Sequence, residues 1–201
     1  QGIGNKIMPI KMTGSLKVIS MALLLNETDS PVVWRGPMKA AAIQQFLGDV
    51  DWGDLDYLVC DLPPGTGDEA LNIVQYAPNV AGAVIVTTPQ DVAVLDSTKA
   101  IKFIEMMELP VLGIIENMAG LVCPHCGEVL NVFGEGGGKK AAEKYNVPYL
   151  GSIPLDIEMR KAGDEGRPFI VRKPGETGSN ASREAVDKVM ENLIAEVEKT
   201  D

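Results

Sequence analysis

The chain predicts an α/β fold in which a mainly parallel sheet is flanked by helices. Two observations carry that expectation. Short runs rich in Val and Ile alternate with longer segments of helical period, and the runs at 82–88 and 111–116 are apolar on both faces. Strands of that kind belong to parallel sheets covered by helices on each side. A hydrophobic content of 45% with 23% charged residues over 201 residues is enough for one globular core. The whole of 1–201 is therefore read as a single domain.

Taken in order, 16–25 is apolar enough for a buried strand, and 38–47, rich in Ala and Gln, suits a helix. Residues 56–60 read as a short strand ending at Asp61, and 69–76 as a short helix. A strand at 82–88 precedes a helix at 91–107, whose first residue, Asp91, is a candidate cap. Pro110 stands beyond its end, before the strand at 111–116. A helix at 139–145, a strand at 148–153 and a closing helix at 181–199 complete the alternation. One Gly-rich insertion at about 118–138 interrupts it and holds a Cys pair. Ligands in such sheets sit beyond the C-terminal ends of strands, which directs attention to Asp61, Thr88 and Asn117.

The balance of 18 basic against 28 acidic residues, net −10, repels a polyanion unless basic groups cluster. No basic run exceeds two residues, as at Lys139-Lys140, so nucleic acid is not an expected partner. The single His excludes extended histidine metal or proton networks. Neither a run of about 20 apolar residues nor a signal segment is seen, so a cytosolic protein without a membrane partner is expected. The sequence opens without an initiating Met, and its natural start is expected upstream.

Three constellations carry chemistry. In Tyr57-Leu58-Val59-Cys60-Asp61-Leu62-Pro63-Pro64-Gly65-Thr66-Gly67-Asp68, an apolar run ending in Asp sets a carboxylate where it can hold the water shell of Mg²⁺ beside phosphates. Gly65 and Gly67 would let a backbone N–H approach a terminal phosphate. A strand followed by a Pro/Gly turn is the plainer reading of the same residues. The second constellation is Cys123-Pro124-His125-Cys126, a spacing used by metal sites and redox dithiols. Zinc sites and iron–sulfur clusters usually take four protein ligands; one chain supplies two, and a two-fold axis would supply the rest. A redox dithiol and half of a zinc ribbon remain open, His125 is expected to point elsewhere, and Cys60 is expected to be an inert thiol on a core strand. The third is Asn117 with Ile153-Pro154-Leu155-Asp156. An amide that donates and accepts suits the edge of adenine, though Asn at a strand end is also a turn former.

The Gly-rich run 134–140 fails the spacing of a phosphate loop and lies late in the chain; it is read as a flexible loop entering a helix. Arg35 suits a dimer or nucleotide contact and a loop salt bridge equally, Lys99 is read as a solvated helix residue, and neither is taken as a site residue.

The segment Asp61 to Asp68 resembles the Walker B and switch II segment of the Mrp/ApbC nucleotide-binding family, within the MinD/ParA-type P-loop ATPases. Trp34-Arg35-Gly36-Pro37, Thr88-Pro89-Gln90-Asp91, Glu116-Asn117-Met118, Cys123-Pro124-His125-Cys126-Gly127, Phe133-Gly134-Glu135-Gly136-Gly137-Gly138 and Gly151-Ser152-Ile153-Pro154-Leu155-Asp156 resemble further segments in the same order, covering about 33–167. The resemblance implies an ATPase that binds ATP/ADP and Mg²⁺, with Asp61 and Gly65 in catalysis and Asn117, Pro154 and Asp156 at the nucleotide. It implies a homodimer through the Cys loop, with a [4Fe-4S] cluster shared by Cys123 and Cys126 of both copies and passed to acceptor apoproteins. Zinc could take the same Cys site. The family's phosphate loop, with an extra Lys near its start, is not in this sequence; with switch I it is expected to precede Gln1, and the chain alone is not expected to hydrolyse ATP. A zinc-bridged, non-catalytic dimer is the alternative, as is a positioning or partitioning ATPase, against which the acid-rich C-terminal helix argues.

Overall fold

The apolar run that begins at Val111 forms the central strand of a sheet, because its side chains find apolar cover on both sides. The computed structural model describes residues 6–12, 14–24, 36–123, 125–171 and 181–200, in two compact units, Gln1–Val80 and Ala81–Asp201. Trp34 and Arg35, Leu25 and Pro124 lie outside the described residues.

In the second unit, β3 (Ala83–Thr87), β4 (Val111–Val122) and β6 (Tyr149–Leu155) are parallel in the order β3-β4-β6, and β5 (Val129–Leu130) runs antiparallel along the far end of β4. Helices α3 (Asp91–Met106) and α4 (Gly137–Tyr145) cover one face, where Ile85, Ile101, Ile104, Ile114, Ala141 and Ala142 form a buried cluster. Helix α6 (Ala181–Val197) covers the other with Val189 against Ile115 and Leu150. Ile114 and Ile115 thus point to opposite covered faces, as strand alternation requires. Helix α5 (Ile157–Asp164) follows β6 directly. The expected parallel, helix-covered sheet is present, with two differences in detail. Val86 on β3 is 59% exposed, so that strand is covered fully on one side only. Helix α3 is capped by Gln90 rather than Asp91, without a side-chain bond; Asp91 sits in the first turn, where its charge suits the helix dipole.

In the first unit, β1 (Ile10–Lys11) pairs with β2 (Lys17–Val18) in a short hairpin, a 3₁₀ turn spans Met21–Leu24, and α1 (Gly36–Gly48) packs on α2 (Asp68–Tyr76). Lys39 reaches Glu69 at 2.5 Å, and that hydrogen bond holds the Glu69 carboxyl below its ordinary range. Two expected strands differ here. Of 16–25 only Lys17–Val18 is strand, and Leu23 and Leu24 are exposed. Residues 56–60 form no strand, and Val59 is 87% exposed. The physical reason is shared: a strand is made by its ladder, since each N–H and C=O needs a partner. Among the described residues none runs beside 56–60. Cys60 is accordingly not on a core strand but exposed; local crowding of its sulfur still pushes the thiol pKa up.

Candidate functional site

The insertion that holds the Cys pair grows out of β4. After a register shift between Ile114 and Ile115, pairing with β6 runs regularly from Ile115 to Asn117, opposite Ile153, and resumes only at Leu121, opposite Leu155. Within that break Met118 has φ 56 and Gly120 φ 78, left-handed values that interrupt the parallel ladder; at Met118 a side chain bears that conformation. Beyond the break, Leu121 and Val122 pair with Leu130 and Val129 of β5, and the cysteines occupy the turn between.

That turn is built to present sulfur. The Cys123 N–H donates to Glu128 O at 2.8 Å, and the Gly127 N–H returns to Cys123 O at 2.9 Å. Backbone hydrogen bonding from Cys126, then His125, and the Cys126 side chain hold the Cys123 thiol below its ordinary pKa. A turn whose amides stabilise a thiolate suits metal or cluster ligation. His125 contributes its backbone to this arrangement. Among the described residues, no group of three or more His, Cys, Asp or Glu side chains is placed to hold a metal ion, so the two thiols stand as half a ligand set. Val122, Val129, Leu130 and Val132 around them are exposed.

The proposed base contacts are brought together by the β4–β6 ladder. Asn117 is half-buried, and its Oδ1 accepts the Met118 N–H at 2.9 Å. Its Nδ2 has no protein acceptor among the described residues. Asn117 lies opposite Ile153, next to Pro154. Asp156 does a task the sequence reading did not foresee: its Oδ1 accepts from the N–H groups of Glu158 at 2.7 Å and Met159 at 3.1 Å, capping α5. In the first unit Asp61 and Gly65 lie in the exposed, irregular stretch before α2, with Gly65 at φ +102. Lys99 pairs with Asp96 at 2.8 Å on the surface of α3.

Sequence reasoning missed Glu116. It stands on β4 in register with Thr87 of β3 and Ser152 of β6, only 3% exposed. Its carboxylate accepts the Gly138 N–H at 2.6 Å and the Gly136 N–H at 3.2 Å. Those donors open α4, whose N-cap Gly136 offers no side chain. The free N–H groups of a helix start suit an anion, and here an internal carboxylate fills the place. The Gly-rich run is therefore neither a phosphate loop nor a loose lead-in. The signal was present: an acid ending a buried strand needs donors, and a helix entered by three glycines lacks acceptors. A cavity of about 280 Å³ lies alongside, lined by Glu116, Asn131, Glu135, Lys139, Tyr149 and Ser152 among others; burial, then the Glu116 charge, pushes the Tyr149 pKa up.

Gly137 and Gly138 are buried because the helix start packs against Thr87, Pro89, Val94 and Glu116. A Cβ on Gly137 would run into the Pro89 carbonyl and stand 2.9 Å from Val94 Cγ2. Ala would gain about 1 kcal/mol of helix propensity over Gly, but backbone overpacking costs roughly 1–3 kcal/mol or more. Gly137→Ala is thus expected to destabilise the protein by about 1–2 kcal/mol on balance, read by urea denaturation; a gain in stability would show that α4 can slide away from Pro89.

The profile of the ParA family described as NUBPL iron-transfer P-loop NTPase matches residues 1–193. The chain belongs to this family. It is 48% identical over 192 residues to the iron-sulfur cluster carrier protein of Methanocaldococcus jannaschii, covering 96% of this chain and 64% of the relative. A nucleotide-binding protein from Archaeoglobus fulgidus, solved in complex with ADP, superposes with a TM-score of 0.68 at 38% identity, covering 90% of this chain and 70% of that one. The cell division ATPase MinD of Pyrococcus furiosus, at TM-score 0.52 and 23% identity over 82% of this chain and 59% of that one, shares the fold. The chain spans just under two thirds of the length of the curated relatives it matches first, 64% and 65%. Membership in the iron-transfer P-loop NTPase family agrees with the resemblance drawn from the Asp61 segment and the Cys pair, and with the parallel, helix-covered sheet. Among the described residues no helix is long and apolar enough to cross a membrane.

Proposed function

We propose that the protein is a cytosolic, ATP-dependent iron–sulfur cluster carrier. Two copies would hold one [4Fe-4S] cluster between their Cys123 and Cys126 thiolates and pass it to acceptor apoproteins. The observation that carries this reading is the Cys hairpin: two thiols in one turn closed by backbone bonds at Cys123, and no third ligand among the described residues. A second copy related by a two-fold axis completes a four-ligand set without any further residue.

The nucleotide half of the reading takes 1–201 as the larger part of one ATPase domain. Asp61 would orient the water shell of Mg²⁺, and its exposed carboxylate, without a protein partner among the described residues, is free to do so. Bound Mg²⁺ supplies charge neutralisation at the phosphates. Gly65 would bring a backbone N–H to the terminal phosphate. Asn117 would meet the base edge through its free Nδ2, Pro154 would lie against the ring, and Asp156 would fix the turn beneath Pro154 by capping α5.

Anaerobic reconstitution of the full-length protein with iron and sulfide tests the carrier reading. The expected product contains about four irons per two chains and migrates as a dimer. Zinc retained in preference to iron, or a cluster bound by a monomer, would replace the reading with a metal-bridged or differently ligated protein.

A further inference from the structure

We propose that Glu116 is the positioning residue of the Cys hairpin, fixing the return limb of the hairpin to the strand that carries its outgoing limb. The proposal rests on the carrier reading above for the role of the cysteines. The outgoing limb is β4 itself, but between Asn117 and Leu121 the ladder is broken and two residues have positive φ, so the limb passes through an irregular bend before it pairs with Leu155 again. The return limb is β5, held by two residue pairs, Leu121 with Leu130 and Val122 with Val129, and at its start by the Cys123 N–H on Glu128 O. A two-residue edge strand is a weak constraint.

Beyond β5 the chain turns through residues 131–136, where Gly134 N–H meets Asn131 O at 3.1 Å and Asn131 Nδ2 meets Glu135 Oε2 at 3.0 Å. Its next attachment to the sheet by hydrogen bonding is the Glu116 carboxylate, through Gly136 and Gly138. Glu116 lies on β4, seven residues before Cys123. Both limbs are thereby referred to one strand: the turn closes locally around Cys123 and Cys126, and the placement of its return limb depends on a loop whose far end is pinned by two charge-assisted hydrogen bonds. The rest of α4 keeps its own apolar packing through Ala141 and Ala142, so loss of the carboxylate frees the loop and first turn without removing the helix. Residues outside the ligand set that orient the ligands commonly change metal affinity by about 10–100-fold.

The test is a Co²⁺ titration of the full-length protein, followed by the thiolate-to-cobalt charge-transfer absorbance. Glu116→Ala is expected to weaken Co²⁺ binding about tenfold or more, and Glu116→Gln, which keeps one acceptor oxygen, by a smaller factor. Ile101→Val, a core change on α3 that lowers stability without touching the loop, is expected to leave the affinity within about twofold of the parent. Unchanged affinity in Glu116→Ala overturns the proposal, as does an equal loss in Ile101→Val. Should Glu116→Ala fail to fold, Glu116→Gln decides: a loss of about threefold or more, with Ile101→Val unchanged, supports the proposal, and a smaller loss overturns it. Failure of the carrier reading shows separately, as parent Co²⁺ binding that Cys123→Ser does not alter.

Discussion

Cys123→Ser and Cys126→Ser are each expected to reduce cluster loading to less than about a tenth of the parent value, while Cys60→Ser loads normally. A cluster corner is held by thiolate, and a serine hydroxyl, far less acidic than a thiol, does not replace it at neutral pH. In a two-fold assembly each substitution removes two of the four ligands at once, so the effect is near-complete rather than graded. The turn prepares Cys123 in particular, since the amides of Cys126 and His125 favour its ionised form. Cys60 has the opposite setting: partial burial of its sulfur pushes the thiol pKa up. Iron and acid-labile sulfide content of the reconstituted variants, with melting curves to exclude misfolding, provides the measurement. Loss of the cluster in Cys60→Ser alone would mean that the ligands have been misassigned.

What the sequence made legible follows from where the determining interactions lie. Residues 83–87 and 111–116 were readable because continuous Val and Ile runs favour a helix-covered sheet, although Val86 leaves one face of the first strand partly open, and the covering helices at 91–106 and 181–197 carry their own period. Residues 56–60 have similar composition and form no strand, since pairing is decided by a neighbour and not by the run itself. The end of β4 at Leu121 and Val122 was hidden for the same reason: it pairs with β5, whose two residues carry no signal of their own, and with Leu155 of β6. The site was legible in kind but not in connection. Cys123 and Cys126 announce themselves by spacing, whereas the backbone hydrogen bonding at Cys123 arises from the turn. Asp156 looked like a ligand residue, and its carboxylate caps α5. Glu116 was quoted only as part of a segment, because its partners are backbone N–H groups at Gly136 and Gly138, more than a dozen residues onward. Backbone donors have no letter in a sequence.

Asp61→Ala in the full-length protein is expected to lower Mg²⁺-dependent ATP hydrolysis by about 10²–10³-fold, while stability to urea changes by less than about 0.5 kcal/mol. The separation follows from the surroundings of Asp61. It is exposed, lies in an irregular stretch, and makes no hydrogen bond or ion pair among the described residues, so truncation leaves no buried partner unsatisfied and opens no cavity. Its proposed work is confined to the nucleotide-bound state, where the carboxylate orients metal-bound water beside the phosphates. A hundredfold loss corresponds to about 2.7 kcal/mol of transition-state stabilisation, several times the expected change in folding. Asp61→Asn sharpens the test, because the amide keeps the size and one oxygen acceptor but removes the charge. If charge on the metal shell is what matters, the Asn variant loses nearly as much activity as the Ala variant and melts like the parent. Hydrolysis rates across a Mg²⁺ titration, set beside urea denaturation of the same samples, measure both quantities. Parallel loss of activity and stability in Asp61→Ala would instead give Asp61 a structural task and remove it from the catalytic machinery.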